Sequence, residues 1–181
     1  MIDKDKRYIM SKVRTVKDWP KKGIMFRDVT TLIKDTKAFD ISIRDFVERY
    51  KKHKIDYIVG IESRGFIFGA AVAHLLKVGF IPVRKKGKLP ADTISVEYEL
   101  EYGKAEIEIH SDAIKKGDKV VIIDDLLATG GTMLAAAKLI RKIGGEVLEC
   151  AFVINLPELD GEKKIKEKGY KAYYQIEFNE K

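Results

Sequence analysis

The chain has 181 residues, 45% hydrophobic and 35% charged, with 35 Lys and Arg against 28 Asp and Glu for a formal charge of +7. That length suits a single domain, residues 1–181, with a sizeable core. The one cysteine, Cys150, admits no internal disulfide; no apolar run approaches the ~20 residues of a membrane span, and the N-terminal residues lack a signal peptide's apolar region. A cytoplasmic protein without a membrane partner is therefore expected. The positive charge suits an anionic partner. No stretch reads as a recognition helix or an aromatic RNA-binding strand pair, so a polyphosphate substrate is expected rather than nucleic acid.

In chain order, Ile2, Ile9, Val13 and Val16 fall at helical spacing and predict a first helix to about Val16, broken by Trp19-Pro20 and Lys21-Lys22-Gly23. Phe39, Ile43, Phe46, Val47 and Tyr50 share one face of a helix over Thr36 to Tyr50. Tyr57 to Ile61 reads as a strand, Arg64 to Leu76 as a buried helix, and Gly79 to Val83 as the next strand. After a basic stretch from Arg84 to Asp92, Ile94 to Leu100 and Lys104 to His110 alternate as a hairpin turning at Tyr102-Gly103. Lys119 to Ile123 is a strand and Thr132 to Ile143 its helix, stopped by Gly144-Gly145. A strand over Glu146 to Ile154, a short helix over Gly161 to Lys168 and a strand over Lys171 to Phe178 complete the chain. Strands alternating with helices imply an α/β fold with a central, mostly parallel sheet flanked by helices.

Chemistry concentrates in Val120-Val121-Ile122-Ile123-Asp124-Asp125-Leu126-Leu127-Ala128-Thr129-Gly130-Gly131-Thr132. A β-branched strand runs into two carboxylates, then a small hydroxyl-rich glycine loop, then an amphipathic helix. Such a loop at a helix N-terminus presents N–H groups and partial positive charge to an anion, so phosphate suits the loop, and sugar hydroxyls, or a metal holding them, suit the acids. An ordinary βα turn would leave Asp125 as a solvated carboxylate; the acidic pair of a response regulator would leave Thr129 to Thr132 unexplained. Two more strand ends carry cations: Glu62-Ser63-Arg64-Gly65, and the Arg84 to Pro90 stretch, whose glycine and charges suit a mobile lid. Cys150 lies in an apolar run and reads as core; His53, His74 and His110 have no metal-ligand neighbours at useful spacing.

The thirteen-residue run resembles the signature of the type I phosphoribosyltransferases, which use phosphoribosyl pyrophosphate (PRPP). From about Asp18 to Leu156 the spacing of Gly23 to Thr30, Gly65 to Gly69, Arg84 to Pro90 and Leu100 to Lys104 resembles the adenine-using branch of that family. The resemblance implies the type I fold with a small N-terminal hood, contributed by about residues 1–34, and a flexible β-hairpin loop. It implies adenine and PRPP as substrates, AMP and pyrophosphate as products, Mg²⁺ held through PRPP and waters with no direct protein ligand, and a homodimer. Asp124 and Asp125 would face the ribose, and Ala128, Thr129, Gly130, Gly131 and Thr132 would hold the 5′-phosphate. Glu62, Ser63, Arg64, Arg84, Lys85 and Lys88 would bind pyrophosphate, with a cis peptide before Ser63. Met25, Phe26, Arg27 and Leu156 would form the adenine site, Phe26 stacking and backbone groups of Met25 and Arg27 reading the edge. Glu101 would act as acid/base on the purine, beside Tyr102 of the flexible loop; Arg64 joins the two aspartates and Glu101 in the catalytic set. Enzymes for 6-oxopurines carry a lysine where this chain has Asn155-Leu156-Pro157-Glu158-Leu159. The other readings are a phosphoribosyltransferase for another purine such as xanthine, and a non-catalytic PRPP-sensing regulator.

Overall fold

The structure is a computed structural model that describes residues 1–99 and 103–179. Glu101 and Tyr102 thus lie outside the described residues, as do Leu100 and half of the Tyr102-Gly103 turn.

The chain opens with α1 (Asp3–Lys12), then β1 (Arg14–Lys17) paired antiparallel with β2 (Met25–Asp28), then α2 (Thr30–Lys34) and α3 (Thr36–Tyr50). The first helix therefore stops before Val16. Val13 leaves the helix in an extended conformation, and Val16 enters the ladder opposite Phe26. Pairing of a β-branched residue on a ribbon overrides a helical spacing that fitted equally well. Asp35 caps α3 by accepting the Ala38 N–H at 2.9 Å, and the helix buries Ala38, Ile43, Phe46 and Tyr50.

β3 (Tyr57–Ile61), α4 (Arg64–Leu76) and β4 (Gly79–Lys85) form a right-sized βαβ unit, followed by the hairpin β5 (Thr93–Glu99) and β6 (Lys104–His110). β7 (Lys119–Leu127), α5 (Gly131–Lys142), β8 (Glu146–Asn155), a 3₁₀ turn over Pro157–Leu159, α6 (Gly161–Glu167) and β9 (Ala172–Glu177) complete the fold. The main sheet has the order β5-β6-β4-β3-β7-β8-β9. β4, β3, β7, β8 and β9 run parallel, and the β5–β6 hairpin adds an antiparallel edge through β4. This is the expected α/β architecture.

β7 runs four residues further than the sequence suggests. Asp124, Leu126 and Leu127 still pair with Phe152, Ile154 and Asn155 of the ten-residue β8, so the two carboxylates stand within the strand. Carboxylates read as a loop in the sequence; a neighbouring ladder keeps them extended.

One core layer joins α1, α2, α3 and α4 to the sheet through Ile9, Leu32, Phe46, Phe68 and Val121. The other packs α5, α6 and the hairpin on the opposite face through Met133, Ile140, Ile165, Ile107 and Ile122. Strand order reverses between β3 and β7, and such a switch point opens a crevice at the carboxyl ends of the strands.

Candidate active site

The crevice at the switch point is a cleft of about 420 Å³, lined by Glu62, Ser63 and Arg64 after β3, Lys85 after β4, Tyr98 of β5, and Asp124, Asp125 and Thr132 of the signature run. Four sequence-distant segments thus meet at one strand-end cleft. The Glu62–Ser63 peptide is cis. Lys88 is exposed on the neighbouring loop.

Arg64 opens α4 and donates from Nε to Asp125 Oδ2 at 2.5 Å, while Asp125 is only 5% exposed. Asp124 accepts the Asp125 N–H on Oδ1 at 2.9 Å. As a residue Asp124 keeps some exposed surface, but its carboxyl group sits among protein atoms. Burial, and then the adjacent Asp125 charge, push the Asp124 carboxyl well above the usual carboxylate range. Asp124 therefore holds its proton more readily than a free carboxyl does, and a cationic group brought near it would favour the ionised form.

This shift has a stability consequence. A carboxyl whose folded pKa is raised binds protons in the folded state that the unfolded chain has already lost, so stability falls as pH rises from the ordinary value through the raised one. Asp124→Asn, which keeps an oxygen for the Asp125 N–H, should accordingly raise the Tm at neutral pH and leave it unchanged below the ordinary carboxylate range. Thermal melts of both proteins at pH 7 and pH 3 check this; a lower Tm for the variant at pH 7 contradicts it.

The loop beyond β7 forms a second, small cavity of about 80 Å³, lined by Ala128, Thr129, Gly130, Gly131 and Thr132 together with Asp124 and Phe152. Gly130 takes φ +79°, a left-handed conformation that places it as the residue before α5. The N-terminal N–H groups of a 12-residue helix face this space, which has room for one tetrahedral anion. Gly161 closes the loop from behind: a Cβ there would lie 2.1 Å from the Ala128 carbonyl oxygen, so only glycine allows α6 to approach.

Glu62 is occupied within the protein. Its carboxylate accepts Nε and Nη2 of Arg84, both at 3.2 Å, and the Lys85 N–H at 3.0 Å. Burial raises the Glu62 pKa, but the Arg84 and Lys85 bonds outweigh it and hold the group below its ordinary value. Glu62 and Arg84 thus tie the loop after β3 to the loop after β4, and Lys85 remains exposed at the cleft.

The N-terminal ribbon brings Phe26 to the same cleft. Its ring lies 5.7 Å from the Arg64 guanidinium carbon, a cation–π distance, and 4.3 Å from the Trp19 ring at 64°. Met25, Phe26 and Arg27 are each half-buried, and the Arg27 guanidinium covers the Phe178 ring at 4.4 Å. Leu156 is 8% exposed at the end of β8, its N–H bonded to the Leu127 carbonyl at 3.0 Å.

The phosphoribosyl transferase domain model matches residues 29–180. An adenine phosphoribosyltransferase of Chlorobaculum tepidum is 58% identical over 172 residues, which are 94% of this chain and 97% of that protein. Among solved structures, the adenine phosphoribosyltransferase of Thermoanaerobacter pseudethanolicus superposes with a TM-score of 0.91 at 50% identity, over 96% of this chain and 99% of that one. The Saccharomyces cerevisiae adenine phosphoribosyltransferase, complexed with an imino-altritol bisphosphate and adenine, gives 0.89 at 36% identity, over 96% and 99%. This chain belongs to the adenine phosphoribosyltransferases, within the phosphoribosyl transferase family.

The family implies Mg²⁺. Among the described residues no group of three or more His, Cys, Asp or Glu is placed to cage a metal ion. The raised pKa of Asp124 beside Asp125 nevertheless marks two neighbouring acids whose repulsion a cation would relieve. Mg²⁺ keeps most of its waters and is commonly held through substrate phosphates with one or two carboxylates nearby, so the residues present fit a phosphoribosyltransferase that takes its metal with PRPP.

Two residues of this adenine phosphoribosyltransferase site escape sequence reasoning. Trp19 reads only as a helix breaker, yet it packs on Phe26 while 50% exposed. Tyr98 reads as one position of an alternating strand, yet its phenol oxygen accepts the Thr132 hydroxyl at 3.3 Å and so sits on the first turn of α5. A lone Trp-Pro before the Phe26 segment was the available signal for the first. Nothing local marks the second, since the contact joins residues 34 apart.

Proposed function

We propose that the chain transfers the phosphoribosyl group of PRPP to adenine, giving AMP and pyrophosphate. The observation that carries the reading is the convergence of Phe26, the Arg64–Asp125 pair and the Ala128 to Thr132 loop on one strand-end crevice. An aromatic face, a carboxylate pair and an anion loop are what a base, a ribose and a 5′-phosphate require in that order.

In this reading the C1–N9 bond to adenine forms as the C1–O bond to pyrophosphate breaks, and the electron pair leaves with pyrophosphate. Asp124 and Asp125 hold the ribose side and stabilise positive charge building at C1, an effect strengthened by their enclosed setting. Arg64, Lys85 and Lys88, with Arg84 holding the loops, take the departing pyrophosphate; the Ser63 position completes that loop. Mg²⁺ supplies charge neutralisation on the leaving group. Phe26 and Leu156 bound the base, with Met25 and Arg27 at its edge, and excluding water protects the oxocarbenium-like centre from hydrolysis. The N9 proton needs an acceptor, the role for which Glu101 is proposed beside Tyr102. Residues 1–34 form the hood of a single domain; they share a core layer with α3 and α4.

The reading extends to a homodimer and to the cytoplasm. Ile67 and Leu75, 42% and 53% exposed, lie two turns apart on the outer face of α4 and suit a second copy. No helix among the described residues is long and apolar enough to cross a membrane, and Cys150 is a buried free thiol.

Trp19 is the chain's single tryptophan and its ring touches Phe26, so its emission reports on the base site. Titration with adenine in the presence of pyrophosphate and Mg²⁺ should shift or quench that emission saturably, and hypoxanthine at equal concentration should not. An emission unchanged by adenine contradicts the placement of the base on Phe26.

A further inference from the structure

Behind the Arg84 to Pro90 loop lies a buried carboxylate that none of the site assignments uses. Glu108 of β6 is 1% exposed. β6 stands between β4 and β5, with Glu108 opposite Arg84 on one side and Ser95 on the other. Its Oε1 accepts the N–H groups of Lys88 and Leu89, both at 2.9 Å, and its Oε2 accepts the Thr93 hydroxyl at 3.2 Å. A buried charge persists only when such bonds satisfy it. Burial works to raise the Glu108 pKa, but the backbone N–H groups of residues 87–89 and the Thr93 hydroxyl hold it below the ordinary value.

The same loop is gripped from its other side. Arg84 Nη1 donates to the Lys88 carbonyl at 3.0 Å, and Arg84 is itself fixed by Glu62. The Lys88 backbone is thus held at its N–H by Glu108 and at its carbonyl by Arg84. Its side chain is left exposed, free to meet an anion.

We propose that Glu108 is a positioning residue that fixes residues 87–89 so that the Lys88 ammonium is presented to the pyrophosphate of PRPP. The proposal rests on the reading of Arg84 to Pro90 as the pyrophosphate loop. A carboxylate suits this place because one oxygen accepts two converging N–H donors and the other the Thr93 hydroxyl; a glutamine keeps an acceptor oxygen on one side only and loses the charge that strengthens all three bonds.

The test is a double-mutant cycle in the full chain with Glu108→Gln, Lys88→Ala and the pair, measuring KM for PRPP and for adenine separately. Ser42→Ala serves as a stability control, because Ser42 of α3 donates a buried bond to Gln175 of β9, away from the loop. Glu108→Gln should raise the KM for PRPP about tenfold, the worth of a lost bond to a charged group. It should leave the KM for adenine within about twofold, and adding Lys88→Ala should cost little more, since both changes remove one function. Ser42→Ala should lower the Tm without moving either KM.

A PRPP KM unchanged by Glu108→Gln while Lys88→Ala weakens PRPP overturns the proposal and leaves the loop reading standing. Fully additive effects overturn it as well. Lys88→Ala without effect removes the loop reading itself. Should Glu108→Gln fail to fold, Thr93→Val, which deletes the donor to Oε2, should raise the PRPP KM about threefold, with the same non-additivity toward Lys88→Ala; an unchanged KM overturns the proposal.

Discussion

Asp125→Asn should lower kcat about 10²–10³-fold, the range seen when one preorganised electrostatic contact to a transition state is removed, while lowering the Tm by only about 2–4 °C. Asparagine keeps the shape and one oxygen but removes the charge that Asp125 would offer to the ribosyl cation. The stability loss stays small because the partner, Arg64, is 40% exposed and can turn to water once released. A partly exposed ion pair contributes about 1 kcal/mol at most, and for a chain of this size that corresponds to roughly 2–4 °C. Kinetics with saturating substrates and a thermal melt on the same sample separate the two quantities. Parallel losses, with activity falling only as far as the folded fraction, would make Asp125 a structural residue.

Gly65→Ala should be comparably damaging from outside the ligand site. α4 approaches β7 so closely that a Cβ on Gly65 would lie 2.6 Å from the Ile123 carbonyl oxygen and 3.1 Å from Asp124 Oδ1. The first of these is backbone and cannot swing away, so the helix must retreat or the strand must shift. Overpacking of this kind costs about 1–3 kcal/mol, or roughly 3–10 °C in Tm for this chain length. Activity should suffer more, by about 10²-fold, because either movement displaces Arg64 or Asp124 by a fraction of an ångström to an ångström. Full activity at 20 °C in a folded Gly65→Ala protein would show that the Gly65–Asp124 contact does not set the geometry of the acids.

How far the sequence reveals this protein depends on the range of the interactions. Parallel strands such as Val120 to Ile123 are buried on both faces and announce themselves as apolar runs. The glycine loop after β7 announces itself because a left-handed Gly130 and two threonines stand together in the chain. The N-terminal ribbon is less legible: Val13 and Val16 satisfy a helical spacing and a strand pairing alike, and only the ladder to Phe26 decides. α2 spans five residues, too few to show a period. Glu108 reads as the polar position of an alternating strand, Ile107-Glu108-Ile109, and would be assigned to solvent. It is buried because residues 87–89, twenty positions away, fold over it. Trp19 and Tyr98 fall outside sequence reasoning for the same cause, a contact made by the tertiary fold.

The same distinction applies to chemistry. The acids, the glycine loop and Arg64 are legible one by one, but the cleft is not, since the sequence does not state that β3 and β7 adjoin. Nor does it show that Arg84 spends its guanidinium on Glu62 and the Lys88 carbonyl within the protein. That pairing makes Arg84 a brace between two loops as well as a source of charge.

This crevice is expected to select adenine and join it to PRPP. The most direct measurement is kcat/KM for adenine, hypoxanthine, guanine and xanthine with saturating PRPP and Mg²⁺, following AMP or the corresponding nucleotide together with pyrophosphate. Backbone groups arranged for the adenine edge leave hypoxanthine with a donor facing a donor and an acceptor facing an acceptor. Each buried mismatch costs about 1–3 kcal/mol, so two imply a preference of about a hundredfold or more for adenine. Such a preference, with one pyrophosphate released per AMP formed, is the result expected. Equal specificity constants for adenine and hypoxanthine, or no nucleotide formed from any base, would contradict it.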